Sequence, residues 1–172
     1  MKMIKLKLIA WILIAFFISG CSWMNPYSNL TKVNIRLNGS DYLNPDLRGR
    51  PSPIVVRIYE LKNAVNFTNA DFFSLYNDAK SVLGDDLIAV EEMELSPRQR
   101  IHLRYRVSAH SQYVGIVAAY RDLSNTTWHY VVETKPKEIL YVNVILTSDG
   151  IYSNTDPRAY KVNEILPMNE RQ

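Results

Sequence analysis

Cysteine and histidine are nearly missing from this chain of 172 residues, which has one cysteine and three histidines. A lone cysteine has no partner for an intramolecular disulfide, and His102, His110 and His129 show no zinc-binding spacing. The nucleophile elbow, the phosphate-binding loop and the dinucleotide fingerprint are missing as well. We therefore expect no catalytic site, no metal, no cofactor and no small-molecule substrate, and we expect His102 and His129 at the surface.

Outside the first few residues, the chain has no excess of positive or negative charge. The formal net charge is +3, from 20 basic and 17 acidic residues. Lys2, Lys5 and Lys7 account for the whole excess, so the rest of the chain is neutral and gives no reason to expect nucleic-acid binding. Hydrophobic residues make up 47%, which is typical of a globular protein, and the length suits one domain.

The N-terminus has no apolar run long enough to span a bilayer. The uncharged segment 8–20 would form a helix of about 20 Å, short of the ~30 Å hydrocarbon core, and fits a secretory signal. It ends in Ile18-Ser19-Gly20-Cys21, which resembles the lipobox of bacterial lipoproteins. We expect removal of residues 1–20, a lipid on Cys21 and a polar tether over 21–31. The alternative is an ordinary signal peptide followed by a chance cysteine.

Apolar patterning predicts a strand-rich body over residues 32–147. Alternating or continuous apolar runs predict seven strands, at residues 33–37, 54–61, 87–95, 101–107, 112–121, 128–132 and 139–146. The second and fifth runs are apolar on both faces, which is typical of central strands. Short connections favour antiparallel neighbours among the last four strands. Together these features predict an antiparallel β-sandwich.

One helix interrupts the predicted strands. Thr68 followed by Asp71 is a variant capping box, and an apolar face follows over Asn69 to Asn77. We expect this short helix to pack across one end of the sandwich. Residues 148–172 form a tail to which the sequence assigns no role.

A row of basic residues lies on the clearest predicted strand, and it comprises Arg98, Arg100, Arg104 and Arg106. One interpretation is an anion site. The other is a solvated face balanced by the preceding strand, with a turn at 96–98 that would set Glu94 opposite Arg100 and Glu92 opposite His102. We favour the second interpretation, because such pairs explain the row without a ligand.

The segment from Asn38 to Pro53 is long for a connection between two strands. Its prolines cannot donate hydrogen bonds to a sheet but stiffen the chain. Long loops of this kind are usually functional or disordered. Leu43 and Leu47 could supply an apolar centre for a partner, and Arg48 and Arg50 could make forked polar contacts. Alternatively, the two arginines only pin the loop to the body.

Three stretches, in this order behind a lipobox, resemble the TssJ family, the outer-membrane lipoproteins of bacterial type VI secretion systems. The resemblance covers about Thr31 to Thr147. Its stretches are Leu43 to Pro53 running into Ile54 to Leu61, Phe67 to Tyr76, and Ala118-Ala119-Tyr120-Arg121 with Trp128 downstream.

The resemblance implies a transthyretin-like antiparallel β-sandwich of about seven to eight strands with one short added helix. It implies a non-enzymatic anchor in the outer membrane, on the periplasmic side. That anchor holds the periplasmic domain of the inner-membrane component TssM and, through it, TssL. In the family the loop between the first two strands is implicated in this contact, which here points to Leu43, Asn44, Pro45, Asp46, Leu47, Arg48, Gly49 and Arg50. The alternative is a periplasmic lipoprotein that binds a small apolar or peptide ligand, which would need a lined cavity.

Overall fold

A computed structural model describes residues 31–163, and side-chain surroundings up to Tyr160. The expected signal peptide, Cys21 and nearly all of the tether lie outside the described residues. Within the described range, no helix has the length and apolar character needed to cross a bilayer.

In the part of the chain that the structure describes, eight strands form two four-stranded sheets packed face to face. Sheet A has the order β4-β1-β7-β8 and sheet B the order β3-β2-β5-β6. Neighbouring strands are antiparallel except β1 and β7, which run parallel. The strands are β1 (Lys32–Gly39), β2 (Ile54–Leu61), β3 (Leu87–Leu95), β4 (Arg100–Arg106), β5 (Tyr113–Ala118), β6 (His129–Glu133), β7 (Ile139–Leu146) and β8 (Ile151–Ser153). The predicted β-sandwich is confirmed.

The main core lies between the two sheets and follows from alternation along the strands. On β1, Val33, Ile35 and Leu37 are buried while the residues between them face outward. β2 and β5 lie inside sheet B, as their doubly apolar pattern predicts. Each sheet therefore presents one apolar face to the other. Packing these two faces together removes their apolar side chains from water.

The expected pairing of β3 with β4 is wrong. The two strands are edges of different sheets: β3 pairs with β2, and β4 pairs with β1. The carboxylate of Glu92 accordingly accepts a hydrogen bond from Arg57 Nε at 2.6 Å, and Arg100 lies opposite Asn38 instead of Glu94. A short connection can join two layers as well as two neighbours, so length alone did not decide the pairing. For the same reason β4 and β5, and β6 and β7, are not neighbours.

Between β2 and β3, three short α-helices take the place of the one that we expected. They are α1 (Val65–Asn69), α2 (Phe72–Asn77) and α3 (Ala79–Leu83). Thr68 lies inside α1, and the cap of α2 is Asp71, whose carboxylate accepts a hydrogen bond from Ser74 N at 3.0 Å. Hydrogen bonds from Ser74 lower the pKa of Asp71.

The helices cover the outer face of sheet B instead of one end of the sandwich. Phe67, Leu75 and Leu83 pack there with Tyr59 and Val117 in a second core. This second core explains why β2 and β5 are apolar on both faces.

The C-terminal segment contributes to the sandwich. β8 pairs with β7 and completes sheet A, and a 3-10 turn over Pro157–Asn163 follows it. The guanidinium of Arg158 lies 4.7 Å from the ring centre of Tyr152. Part of the segment to which we had assigned no role is therefore structural.

Candidate partner-binding loop

The loop between β1 and β2 lies at one end of the sandwich. Hydrogen bonds join it there to the end of β7 and to the turn between β3 and β4. Ser40 N donates to Leu146 O at 2.9 Å, and Arg98 N donates to Ser40 O at 3.3 Å. The Arg98 guanidinium also pairs with Asp41 at 3.0 Å. The chain enters the domain at Lys32, at the far end of β1, about 26 Å away for a strand of eight residues. The loop and the start of β1 thus lie at opposite ends of the domain.

Two of the predicted contact residues are buried and hold the base of the loop in place. Leu43 is fully buried in the main core, and Asn44 is only 4% exposed. Asn44 has a φ of 43°, a left-handed conformation that Asn tolerates better than most residues. Its Nδ2 donates to Pro53 O at 3.0 Å, and its Oδ1 accepts from Arg121 N at 3.0 Å. Leu43 therefore cannot supply an apolar contact to a partner, which corrects our expectation.

A tight turn over residues 46–50 forms the outer part of the loop. Gly49 N donates to Asp46 O at 2.8 Å and Asp46 N donates to Arg50 O at 2.9 Å. The Asp46 carboxylate accepts from Arg48 N at 2.8 Å, Arg50 N at 2.9 Å and Arg50 Nε at 2.8 Å. Gly49 has a φ of 76°, a conformation that favours glycine.

The Asp46 carboxylate is committed to this turn. Its hydrogen bonds from Arg50, backbone first and side chain second, lower the pKa of Asp46 to about 2. Both carboxylate oxygens already accept hydrogen bonds from residues of the turn, so Asp46 stabilises the loop conformation. Its charge is balanced by Arg50.

Leu47 and Arg48 are the free side chains at the tip of the turn. Leu47 has a relative exposure of 108%, more than any other large hydrophobic residue in the described part of the chain. Arg48 is exposed, and its guanidinium forms no ion pair with a described residue. Arg50 is paired with Asp46, yet its side chain keeps 69% exposure. Among the eight predicted residues, these three have side chains that can reach a partner directly; Gly49 is exposed through its backbone, and Pro45 is half-buried.

The loop is stiff because its backbone is hydrogen-bonded at two levels. Ser52 N donates to Leu43 O at the base, and Asp46 N donates to Arg50 O above it. Little conformational freedom remains to be lost on docking. An apolar side chain at the tip of such a pinned turn is suited to insertion into a pocket of another protein.

Sequence reasoning missed the residues that tie this loop to the rest of the domain. Asp41 and Arg98 are 57 positions apart, and Arg121 meets Asn44 through its backbone N–H. No local spacing reveals such contacts. The one available signal was Asn44 before Pro45, since Asn accepts unusual backbone angles more readily than most residues.

The histidines do not gather into a metal site. His102 is exposed as expected, and His110 is exposed as well. His129, which we also expected at the surface, is half-buried, with its ring centre 4.3 Å from that of Trp128 and 6.0 Å from that of Phe67. This burial lowers the pKa of His129. Within residues 31–160, no group of three or more potential ligands from His, Cys, Asp and Glu lies together.

The opening between the two sheets is small. The cleft between the β3 and β4 edges has a volume of about 100 Å³ and is lined by residues that include Ile58, Glu91, Tyr105 and Val114. Ligand pockets usually exceed ~300 Å³. Burial and the adjacent Glu91 carboxylate raise the pKa of Tyr105. Hollows of about 390 and 370 Å³ beside α2 and α3 are surface depressions outside the sandwich, so the described residues offer little support for a ligand held between the sheets.

Comparison with known proteins identifies relatives over most of the sandwich. The family model described as T6SS-SciN, "Type VI secretion lipoprotein, VasD, EvfM, TssJ, VC_A0113", matches residues 31–149. The chain is 32% identical to the T6SS lipoprotein TssJ1 from Pseudomonas aeruginosa, with a TM-score of 0.70, covering 74% of this chain and 99% of that one. It is 26% identical to Serratia marcescens Lip, a membrane-bound component of the Type VI Secretion System, with a TM-score of 0.69 and coverage of 74% and 98%.

A third solved structure supports the fold alone. It is described as the T6SS protein TssM C-terminal domain from EAEC, and its matching chain is 20% identical, with a TM-score of 0.62 and coverage of 73% and 98%. No curated protein matches the sequence. The transthyretin-like β-sandwich expected from the sequence is the fold of these structures.

Proposed function

Because the chain belongs to the TssJ family of type VI secretion lipoproteins, we propose that it anchors the secretion membrane complex by holding the periplasmic domain of TssM. The family consists of structural lipoproteins of the secretion machinery and is not a known enzyme family. In this proposal the lipid on Cys21 fixes the protein to the periplasmic side of the outer membrane. TssM in turn connects it to TssL.

The exposed Leu47 on its pinned turn is the observation that carries this proposal. A single exposed leucine is common on protein surfaces, but this one lies at the tip of a stiff turn, where docking costs little conformational entropy. Arg48 and Arg50 flank it, and arginine next to an apolar anchor is a common composition of interface hot spots. The tip therefore combines an apolar centre with a polar rim.

The position of the loop suits an anchor. The tether enters at Lys32 and the loop lies at the opposite end of the sandwich, so a protein bound at residues 46–50 does not obstruct the lipidated start of the chain. Pulling on the loop would load β1 along its length, between β4 and β7. Backbone hydrogen bonds to two neighbours resist such a load better than an edge strand would.

The proposal is tested with the mature chain carrying Cys21→Ser and the isolated periplasmic domain of TssM, by titration calorimetry. We expect Leu47→Ser to weaken binding by about 30-fold or more, since truncating a hot-spot residue costs at least ~2 kcal/mol. Arg48→Gln should weaken binding less, because a charge at the rim mainly affects the association rate.

Val65→Ser is the matched control, because Val65 is an exposed aliphatic residue at 59% on α1, away from the loop. It should leave the affinity unchanged. All variants should keep the melting temperature of the parent, since none of the three side chains is buried. Unchanged affinity for Leu47→Ser in a folded protein, or equal losses for Leu47→Ser and Val65→Ser, would contradict the proposed site.

A further inference from the structure

The outer surface of sheet A carries basic side chains on two adjacent strands. Alternation turns the even-numbered residues of β1 and β4 outward, because the odd-numbered ones fill the core. We call this surface the basic face. It comprises Lys32 and Arg36 on β1 and Arg100, His102, Arg104 and Arg106 on β4, all of them exposed except half-buried Lys32.

No carboxylate within sheet A balances these charges. The strands β1, β4, β7 and β8 contain no Asp or Glu. The four ion pairs formed among the described residues involve Arg50, Arg57, Arg98 and Arg158. The acidic strand β3, which we had expected beside β4, belongs to the other sheet. The domain is neutral as a whole but polarised across its two sheets.

The register makes the arrangement unfavourable for the isolated domain. Lys32 lies directly opposite Arg106. Like charges directly opposite each other destabilise a pair of strands. Charged residues on an edge strand do protect it against unwanted strand pairing. That protection accounts for charges on β4 but not for Lys32 and Arg36 on the interior strand β1, nor for the single sign.

The surroundings of the basic face indicate what binds it. β7, the other neighbour of β1, exposes Ile139 at 49% and Tyr141 at 72% on the same side. Basic side chains beside an exposed tyrosine and an aliphatic residue are typical of surfaces that lie at a lipid headgroup region.

The anchor keeps this surface close to the membrane. The segment from Cys21 to Thr31 reaches at most ~35 Å when fully extended, at about 3.5 Å per residue. It joins the domain at Lys32, which is itself part of the basic face. A lipid on Cys21 therefore holds the basic face within reach of the bilayer at all times.

We propose that the basic face docks on the anionic phospholipid headgroups of the membrane to which the chain is anchored. The proposal rests on the lipid anchor of the proposed function, and it adds a second, electrostatic contact. One consequence is a fixed orientation. Sheet A lies against the membrane, the helices on sheet B face away from it, and the loop tip at Leu47 points along the membrane surface.

Vesicle binding tests the proposal without the acyl chains. The mature chain with Cys21→Ser is mixed with sedimentable vesicles of phosphatidylcholine, either pure or containing a third of phosphatidylglycerol. We expect binding only to the anionic vesicles, and we expect it to weaken strongly as salt is raised, because exposed charges are screened. Equal binding to both kinds of vesicle, or binding to neither, would overturn the proposal.

A charge-matched pair of variants locates the contact. Replacing Arg100, Arg104 and Arg106 with Gln should weaken binding to anionic vesicles by about 100-fold, since each basic residue near such a surface contributes roughly fivefold. The control replaces the exposed Lys62, Lys80 and Arg121 with Gln, which changes the net charge equally. The control should retain most of the binding, and equal losses in the two variants would refute a specific face.

A fluorescent probe reports the orientation. With Cys21→Ser the chain has no other cysteine, so Tyr141→Cys or Val65→Cys can each carry a single environment-sensitive label. On anionic vesicles the label at residue 141 should be quenched by spin-labelled lipid, and the label at residue 65 should not. Stronger quenching at residue 65 would overturn the proposed orientation.

Two further outcomes separate this proposal from its competitors. The Arg100, Arg104 and Arg106 variant should still bind the TssM periplasmic domain with the parent affinity, so the lipid contact and the loop contact can fail independently. If the chain binds soluble polyglutamate through these arginines but not anionic vesicles, the basic face serves an acidic protein segment and the lipid proposal is wrong.

Discussion

Gly115 on β5 provides a sharp test of how the helices are seated on sheet B. Its position faces the outer surface of the sheet, directly beneath the ring of Phe67 on α1. A Cβ added at Gly115 would lie 2.5 Å from Cζ of Phe67 and 2.7 Å from Cε2. Real Cβ atoms do not approach other carbons so closely, so the Gly115→Ala variant must displace the ring.

The Phe67 ring has little room to move. It is fully buried, with its centre 5.5 Å from that of Tyr59 and 6.0 Å from that of His129. Overpacking a filled core costs about 1–3 kcal/mol. Alanine in a strand would otherwise be favoured over glycine by roughly 0.5–1 kcal/mol. We therefore expect Gly115→Ala to reduce the free energy of unfolding by about 1–2 kcal/mol, which lowers the melting temperature by roughly 2–8 °C in a chain of this size.

A double-mutant cycle with Phe67→Leu isolates the clash. Phe67→Leu alone destabilises the domain because it leaves a cavity. In that background Gly115→Ala should cost much less, with a coupling of about 1 kcal/mol or more, since the ring atoms that clash are gone. Thermal melts and urea titrations of the four proteins measure this. An equal cost of Gly115→Ala in both backgrounds would refute the reasoning, and so would a gain in stability in the presence of Phe67.

Three shorter predictions concern the anchor, the loop and the basic face. Cys21→Ser should abolish metabolic labelling by palmitate, and normal labelling would contradict lipidation at that residue. The native pKa of Asp46, about 2, lies below its ordinary value of 3.8, so its contribution to the turn is present above about pH 4 and is lost as the pH falls through 2. A carboxyl NMR titration should show this midpoint near 2, and the pKa should rise only part of the way towards 3.8 in Arg50→Gln, because the backbone N–H of residue 50, the larger contribution, is kept. Arg106→Gln should leave the melting temperature unchanged or raise it slightly, because Lys32 lies opposite, and a clear decrease would show that Arg106 has a stabilising partner.

Much of the strand content was predictable because strand formation in this chain is a local matter. The alternation of Val33, Ile35 and Leu37 identified β1, and the doubly apolar runs identified β2 and β5 as interior strands. Each of these inferences needs only a few consecutive side chains, since period-two burial is a property of the strand itself. The family resemblance likewise rested on contiguous stretches, and the family model confirms it.

The loop was identified correctly as an element, but the roles of its residues were not. Length and proline content marked residues 38–53 as unusual. Nothing local distinguishes Leu43, which is buried, from Leu47, which is fully exposed four residues later. That difference arises because the base of the loop closes over the main core while the turn at 46–50 projects beyond it.

The sequence by itself determined seven of the eight strands, the neutral body, the lipobox pattern and the stiff loop, because each depends on neighbouring residues. Only the tertiary structure decided that β3 and β4 belong to different sheets, that three short helices cover sheet B, and that the arginines of β4 face Lys32 and Asn38 instead of the glutamates of β3. The physical reason is that strand pairing is a contact between distant segments. A turn of a few residues permits either a hairpin within one sheet or a crossing to the other sheet. Which of the two forms depends on how the core between the sheets and the core under the helices are packed.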